Sequence, residues 1–183
     1  MRLLRAADRA AIPWKNGGGV TRDVIVSPAG ATIDDFDWRI SIADIAGSGP
    51  FSSFPGIDRK FAVLEGKVAL TIDGGVPVTL DPHTAALDFH GESAVQADLV
   101  GGRSRDLNIM TRRGRFAARM TRRSACVLTL SAGTTVVVAL DKLTAAGQVM
   151  EALDALLFDA TEQSTLTIGP ADFYVIEITG PRP

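Results

Sequence analysis

Arg59 is the residue of this chain whose type and setting point most directly to chemistry. It follows a run rich in glycine, proline, serine and phenylalanine, residues 49–58, and it precedes an apolar stretch that ends at Leu64-Glu65-Gly66. A guanidinium is a planar, two-pronged donor that matches a carboxylate or a phosphate. Arg59 is therefore a candidate for binding a small anion.

Size and charge narrow the classes of function. With 183 residues, 46% of them apolar, the chain can bury a core as one domain or as two small ones. A net charge of -2 gives no general attraction for nucleic acid or for an anionic membrane, and we interpret the basic residues between 112 and 123 as solvated surface charge. No apolar run approaches the length of a membrane span and no signal-peptide core follows Met1, so we expect a cytoplasmic protein.

The histidines and the single cysteine are the residues to test for metal binding or nucleophilic chemistry. His83 and His90 lie seven positions apart in turn-like sequence, without the close spacing of paired metal ligands, so we expect no metal and no other cofactor. A site assembled from His83, His90, Asp88 and Glu92 is the alternative. Cys126 has no evident histidine or acidic partner and sits in an apolar run, which favours a structural thiol in a buried strand.

Short strands with turn residues between them dominate the pattern, which is typical of a β-sandwich or barrel. Asp73-Gly74-Gly75 predicts a hairpin turn, and Gln148 to Leu157 is the one segment with helical spacing of its apolar residues. The predicted strands are Val20–Val26, Trp38–Ile45, Lys60–Leu64, Val68–Ile72, Val76–Leu80, Ser93–Leu99, Leu107–Thr111, Ala125–Leu130, Thr134–Ala139, Ser164–Ile168 and Phe173–Ile178.

Three consecutive glycines near the N-terminus, Gly17 to Gly19, form a second candidate motif. They let the backbone approach a ligand or another strand closely and they supply amide groups. A phosphate loop is excluded because no Gly-Lys-Ser/Thr follows and the next element reads as a strand rather than a helix. A tight structural loop and a loop that lines a pocket are the alternatives, and the neighbouring Trp14, Lys15, Asn16 and Arg22 favour the second.

Residues 37–44 alternate strictly between apolar and polar side chains. Trp38 and Ile42 face one way, and Arg39 and Ser41 face the other. The second face is either solvated or lines a polar cavity. Because β-sandwiches usually turn one sheet face to water, this pattern alone predicts Arg39 at the surface. The same two alternatives apply to Asn108 in a later strand, since its amide can donate and accept hydrogen bonds inside a pocket.

Several of these segments occur in the order and spacing of one known family. The matching blocks are Trp14–Gly19 with Thr21-Arg22, Trp38–Ala43, Gly49–Ser52 with Phe54–Arg59, Leu64–Gly66 and Asp106–Asn108. Together they resemble the signature blocks of the HutD/Ves family, which is part of the cupin superfamily. The resemblance reaches about as far as Arg115 and fades to general β patterning beyond it.

The resemblance implies an all-β, two-cupin (bicupin) fold, with two β-sandwiches or jelly-roll barrels in one chain and little helix. We expect one unit over residues 1–105 and a second over 106–183, with strands that can be exchanged between them. A weak internal sequence similarity agrees with this: Asp81-Pro82 leads into one strand much as Gly169-Pro170 leads into another.

The same resemblance explains the setting of Arg59. The wider superfamily carries two histidines and a glutamate in this segment as metal ligands. Counted back from Gly66, the glutamate position falls on Arg59 and the histidine positions fall on or next to Ser52 and Phe54. A cation cannot serve as a ligand of a divalent metal, so the resemblance implies a metal-free site.

Family members often accompany the bacterial histidine-utilisation system, and the resemblance implies a role in tuning histidine breakdown by binding an intermediate such as N-formylglutamate. That molecule has two carboxylates and an amide-like group, so its site needs cations and polar donors and acceptors. Arg59 and Asn16 are the first choices, and Arg22 has the alternative of pairing with Asp23 or Asp58. The full candidate set is Arg59, Arg39, Arg22 and Lys15 for charge, Asn16, Ser41, Ser52 and Asn108 for hydrogen bonds, and Trp14 or Phe54 for an apolar wall.

Three classes of function fit the sequence. A regulatory protein that binds a small anionic metabolite is favoured, because no nucleophile and base are evidently paired. A metal-independent isomerase or hydrolase is the second class, and it requires His83 or His90 with Asp81 or Asp88 to face the cavity. The third is a protein-interaction scaffold. Cupins commonly pair through exposed strands, so a homodimer is compatible with each class.

Overall fold

The computed structural model of the chain describes residues 1–130, 133–160 and 164–180. Nearly all regular structure in these ranges is β, with a short 3-10 turn at Ala6–Asp8, which confirms the all-β prediction. The chain divides into two compact units, which we call the C-terminal unit (Met1–Arg9 with Phe116–Pro183) and the N-terminal unit (Ala10–Arg115). Within the described ranges, no helix is long and apolar enough to cross a membrane.

The strands are numbered along the chain. The first, β1 (Arg2–Leu4), belongs to the C-terminal unit. The N-terminal unit follows with β2 (Ile12–Pro13), β3 (Gly19–Ser27), β4 (Trp38–Ile45), β5 (Gly49–Pro50), β6 (Ile57–Glu65), β7 (Val68–Ile72), β8 (Val78–Leu80), β9 (Leu87–His90), β10 (Val95–Leu99) and β11 (Ser104–Arg112). The C-terminal unit continues with β12 (Ala117–Leu130), β13 (Gly133–Ala139), β14 (Leu143–Ala145), β15 (Gln148–Met150), β16 (Ala155–Ala160) and β17 (Ser164–Thr179).

Two antiparallel sheets make up the N-terminal unit. One has the order β2-β3-β4-β11-β6-β9 and the other β5-β10-β7-β8. Apolar side chains of both sheets form one buried cluster, with Phe61 and Val63 from the first and Val68, Leu70 and Val95 from the second. Each large side chain of this kind contributes about 1.5–3 kcal/mol when it leaves water. The two sheets therefore pack on each other through this cluster.

The predicted hairpin at Asp73-Gly74-Gly75 is confirmed. Asp73 and Gly74 have φ values of 50° and 70°, the left-handed conformation that a tight two-residue hairpin turn requires. The turn joins β7 to β8 with Val68 opposite Leu80. The second strand is shorter than predicted and begins at Val78, while Val76 is 86% exposed beside the turn.

Replacement of Gly66 by alanine should destabilise the N-terminal unit much more than the same change at Gly74. Both glycines have positive φ, +77° and +70°, so both variants carry the strain of a left-handed alanine, about 1–2 kcal/mol. Only at Gly66 would the new methyl group lie 2.3 Å from a backbone atom, the carbonyl oxygen of Arg103. We expect Gly66→Ala to cost about 2 kcal/mol more in urea unfolding. Equal losses of stability in the two variants would show that the start of strand β11 moves freely away from Gly66.

The segment Gln148 to Leu157 is not a helix, and that prediction was wrong. It forms β15 and the start of β16, with a turn between them in which Leu153 has a φ of 68°. The Asp154 carboxylate fixes this turn by accepting hydrogen bonds from the Ala6 and Glu151 amides at 2.7 and 3.0 Å. Pairing of β15 with β14 and of β16 with β13 outweighs the local helical spacing.

The seven-stranded sheet of the C-terminal unit has the order β1-β16-β13-β17-β14-β15, and β12 also pairs with β17. The two strands predicted at Ser164–Ile168 and Phe173–Ile178 are one continuous strand, β17. Gly169 and Pro170 lie inside it, where the pairing register with β12 shifts between Ser124 and Cys126. A proline is tolerated at such a bulge because no ladder hydrogen bond is needed from it.

The unit boundary differs from the predicted one. A division between residues 105 and 106 would cut β11, whose whole length pairs with β4 and with β6. The observed division falls after Arg115. Strand β1 belongs with the C-terminal unit because Leu3 pairs with Leu156 of β16.

Candidate functional site

One face of the six-stranded sheet carries most of the polar side chains buried in the N-terminal unit. Residues that oppose each other across neighbouring strands point to the same side of a sheet. We call this side the inner face, because Phe61 and Val63 on it pack against the four-stranded sheet. Three cross-strand rows from β4, β11 and β6 define it: Arg39-Met110-Arg59, Ser41-Asn108-Phe61 and Ala43-Asp106-Val63.

Arg59 is a buried cation surrounded by aromatic rings. It is 7% exposed, and its Cζ lies 4.9, 5.3 and 5.7 Å from the ring centroids of Phe89, Phe51 and Phe54. Among the described residues no carboxylate pairs with it and its Nε has no hydrogen-bond partner. Burial lowers the pKa of Arg59 to about 10, so the guanidinium is still charged at neutral pH. It is therefore a buried positive charge with an unused donor.

Arg39 also lies on the inner face, and the prediction of a surface position was wrong. Its side chain is 12% exposed and forms an ion pair with Asp23, whose Oδ1 lies 2.7 Å from Nε and 2.6 Å from Nη2. The alternation of β4 was read correctly, but both faces of this strand are buried, since Ile40 on the other face is fully buried. Asp23 already neutralises the charge of Arg39.

Asn108 adds an unused acceptor to the same face. It is 8% exposed, and its Oδ1 has no hydrogen-bond partner among the described residues. A buried amide oxygen without a donor costs about 1–3 kcal/mol, so this atom is available to accept a hydrogen bond from an N–H or O–H group. Ser41, the cross-strand neighbour of Asn108, is 2% exposed.

Asp106 is a further buried polar residue on the inner face, and the sequence analysis did not select it. It is 3% exposed, and its side chain makes no direct hydrogen bond or ion pair with the described residues. Burial raises the pKa of Asp106 to about 8, although the charge of Arg59 acts in the opposite direction. At neutral pH the carboxyl group is therefore largely protonated. Its place in the quoted Asp106–Asn108 block, two residues from Asn108, was the available signal.

Two further aromatic residues were also missed. Phe89 on β9 is the cross-strand neighbour of Arg59, and only the strand register brings them together. Phe51 connects Arg59 to Trp14 through ring contacts, with Trp14 edge-on to Phe51 at 6.4 Å and Phe51 tilted against Phe61 at 5.6 Å. Of the two predicted wall residues, Phe54 contacts Arg59 and Trp14 contacts Phe51.

The remaining loop candidates are exposed, in contrast to Arg59. Lys15, Asn16 and Ser52 are exposed, and the Asn16 Oδ1 accepts a hydrogen bond from the Gly18 amide at 3.0 Å within its own loop. A Cβ on Gly19 would lie 2.6 Å from the Asp44 carbonyl oxygen, so this glycine is required by the close approach of two strands. The loop thus has the features of the tight structural alternative.

Arg22 faces the opposite side of the sheet and pairs with Asp44 at 2.7 Å, rather than with Asp23 or Asp58. A pocket of about 440 Å³ lies there, lined by Gly17, Gly19, Val20, Arg22, Asp44, Ala46, Glu65, Arg103, Ser104 and Arg105. Arg105 in this pocket is also paired, with Asp44 and Glu65. Since carboxylates already occupy these two arginines, we regard Arg59, outside this pocket, as the stronger candidate for an anion.

The histidines do not approach the inner face. His90 is 65% exposed in its side chain, and its Nδ1 lies 3.0 Å from the Asp58 Oδ1, which also accepts from Arg113. His83 is exposed in the turn that follows Asp81. In the described part of the chain, no three His, Cys, Asp or Glu side chains come together as a group that could hold a metal ion.

Two antiparallel sheets packed on each other are typical of jelly rolls, a class of fold that includes the cupins. A cupin barrel domain protein from Leptotrichia buccalis has a similar structure, with a TM-score of 0.59, 12% identity, and coverage of 93% of this chain and 92% of its own. This likeness concerns the fold alone. The chain is thus an all-β protein of cupin-like fold.

The HutD family model matches residues 6–175, and the chain belongs to that family. The structure of HutD from Pseudomonas fluorescens SBW25 is similar over 99% of both chains, with a TM-score of 0.90 and 32% identity. An uncharacterised 21.2 kDa protein in the hutC 3′ region of Pseudomonas putida is 45% identical over 66% of this chain and 63% of its own length. Protein Ves of Citrobacter koseri is 46% identical over 58% of this chain and 56% of its own. The chain thus matches less than two thirds of the length of these curated relatives. The resemblance to HutD/Ves is confirmed.

Proposed function

We propose that this chain is a metal-independent binding protein for a small dicarboxylate such as N-formylglutamate, with a regulatory role linked to histidine utilisation. The observation that carries the proposal is Arg59, a buried guanidinium with no carboxylate partner among the described residues and an unused Nε. Taking an unpaired charge out of water costs several kcal/mol, and the aromatic faces return about 0.5–2 kcal/mol each. A ligand carboxylate would offset the remainder through a two-pronged, charge-assisted pair.

The inner face matches the ligand in more than charge. Asp106 lies four residues along β11 from the row of Arg59, or about 13 Å at ~3.3 Å per residue, and Asn108 lies between them. A carboxylate at Arg59, an N–H at the Asn108 Oδ1 and a second carboxylate towards Asp106 correspond to the groups of an N-acylated amino dicarboxylate. Phe51 and Phe54 would form the apolar wall.

We further infer that the two units are two cupin-like β-sandwiches in one chain, with β1 exchanged into the C-terminal one. The N-terminal unit has two packed sheets, and the C-terminal unit has its own buried cluster of aliphatic residues with Phe173. The link to histidine utilisation is supported by the Pseudomonas relative from the hutC region. The catalytic alternative that needs a histidine finds no support on the inner face, because His90 is solvent-exposed.

The direct test is calorimetric titration of metal-stripped protein with N-formyl-L-glutamate, with glutamate, urocanate and histidine as comparison ligands. Saturable binding of N-formylglutamate in preference to the other three is the expected result. Free glutamate carries a charged ammonium group, which Arg59 disfavours, and urocanate and histidine each lack the second carboxylate. Absence of heat with all four would contradict the proposal.

An ester analogue tests the role assigned to Asn108. In 2-formyloxyglutarate an oxygen replaces the N–H, so the Asn108 Oδ1 would face another acceptor. We expect the analogue to bind about tenfold or more weakly than N-formylglutamate, which corresponds to about 1.4 kcal/mol. In Asn108→Ala the two ligands should bind alike. A preference for N–H that survives in this variant would assign the recognition to another residue.

A further inference from the structure

The inner face contains a second buried ionisable group whose charge opposes the proposed ligand. Asp106 is on β11, 3% exposed, and shares its face with Arg59, which is 7% exposed. No direct ion pair joins them among the described residues, yet each acts on the charge of the other across the interior. An ionised Asp106 would compete with a ligand carboxylate for the field of Arg59.

The other charged groups around Asp106 do not relieve that competition. From β4, Arg39 is neutralised by Asp23 of β3, and Asp44 adds a negative charge from the opposite side of the strand. On β11 itself, Arg105 is held by Asp44 and Glu65. The facing four-stranded sheet presents apolar residues of the buried cluster, namely Val68, Leu70, Leu80, Val95 and Ala97. Arg59 is thus the principal positive charge acting on Asp106.

From this cluster we infer that the site binds its anion together with one proton, held on Asp106, so that Asp106 acts as the positioning partner of Arg59 and makes binding depend on pH. The inference rests on the function proposed above. A protonated Asp106 donates a hydrogen bond to the second carboxylate of the ligand, whereas an ionised one repels it across a low-dielectric interior. The proton is taken from solvent and no covalent bond changes.

The protonation of Asp106 divides the pH dependence of ligand binding into two ranges. Burial raises the pKa of Asp106 to about 8 in the free protein, and a bound anion would raise it further. Below that value the proton is already in place, so binding takes up almost none. Above it, each pH unit should weaken binding of N-formylglutamate about tenfold, with uptake of close to one proton.

The test measures proton uptake directly. N-formylglutamate is titrated calorimetrically in two buffers of different ionisation enthalpy, such as Tris and borate, at about pH 9, and in a similar pair at about pH 6. Phosphate is avoided because it is itself an anion. At the higher pH the observed binding enthalpies should differ by nearly the full difference between the ionisation enthalpies of the two buffers, which corresponds to uptake of nearly one proton. At the lower pH the two binding enthalpies should agree. Asp106→Asn should bind with no buffer dependence and with affinity that is constant over this range.

The outcomes separate the two proposals. Binding at about pH 9 without proton uptake in the unmodified protein would overturn this inference and leave the anion site standing. Heat of binding in none of the buffers would overturn both. Uptake that persists in Asp106→Asn would assign the proton to a different group and also overturn the role of Asp106.

Discussion

Replacement of Arg59 by methionine should abolish binding of N-formylglutamate without unfolding the protein. The variant removes the inner-face guanidinium that has no carboxylate partner among the described residues, and it leaves an unbranched apolar side chain against Phe51, Phe54 and Phe89. Hydrogen bonds to charged groups contribute about 1.5–3 kcal/mol each, so loss of a two-pronged pair predicts at least a hundredfold weaker binding. Because a buried unpaired charge is also removed, the melting temperature should stay constant or rise.

Two matched variants make this result specific. Arg59→Lys keeps the charge but loses the two-pronged geometry, and it should bind with intermediate affinity. Arg22→Met removes an arginine from the opposite side of the sheet, where Asp44 already pairs with it, and binding should be unchanged. If Arg59→Met binds within about threefold of the unmodified protein while its stability falls, Arg59 is a structural cation–π residue rather than an anion site.

The stability of the ligand-free protein should fall as pH rises from weakly acidic to about 8, and Asp106→Asn should remove much of that fall. The pKa of Asp106 is raised from 3.8 to about 8 in the folded state by burial. Between these values the native state holds a proton that the unfolded state releases, so rising pH favours unfolding by about 1.4 kcal/mol per pH unit. Above about pH 8 both states are ionised and this contribution becomes constant.

Urea unfolding of the unmodified protein and of Asp106→Asn at a series of pH values would show how the free energy of unfolding of each depends on pH. Asp98→Asn is the control, since Asp98 is an exposed residue of β10 and its replacement should leave the profile parallel to that of the unmodified protein. Parallel profiles for Asp106→Asn would mean that Asp106 is already ionised in the folded state at neutral pH. That result would also remove the basis for proton-coupled binding.

The strand framework was largely predictable because local sequence carries its signal. The alternation at residues 37–44 predicted β4 with its observed ends, and Asp73-Gly74 predicted the turn between β7 and β8. The error at Gln148 to Leu157 arose where that signal was weakest. Spacing of apolar residues over ten positions fits a helix, but Asp154 anchors a turn through Ala6, a residue 148 positions away.

The candidate site was only partly predictable. Arg59, Arg39, Ser41 and Asn108 were all selected, and the register brings them to one face. Asp106 was overlooked, although it sits in the same motif as Asn108. Whether a carboxylate in a strand is exposed or buried depends on the strands beside it, and the outcome here is a group whose pKa is raised by burial.

By itself the sequence determined the family, the β architecture and the set of polar residues that alternate with apolar ones along each strand. Only the tertiary structure decided which of the candidate arginines has no carboxylate partner among the described residues. Arg22 and Arg39 lie opposite strands that supply Asp44 and Asp23, whereas Arg59 lies opposite Phe89 and next to two further rings. Local sequence specifies a residue's own face and period, but its cross-strand partner is set by register between segments far apart in the chain. The anion site is therefore a property of the register as much as of the residues.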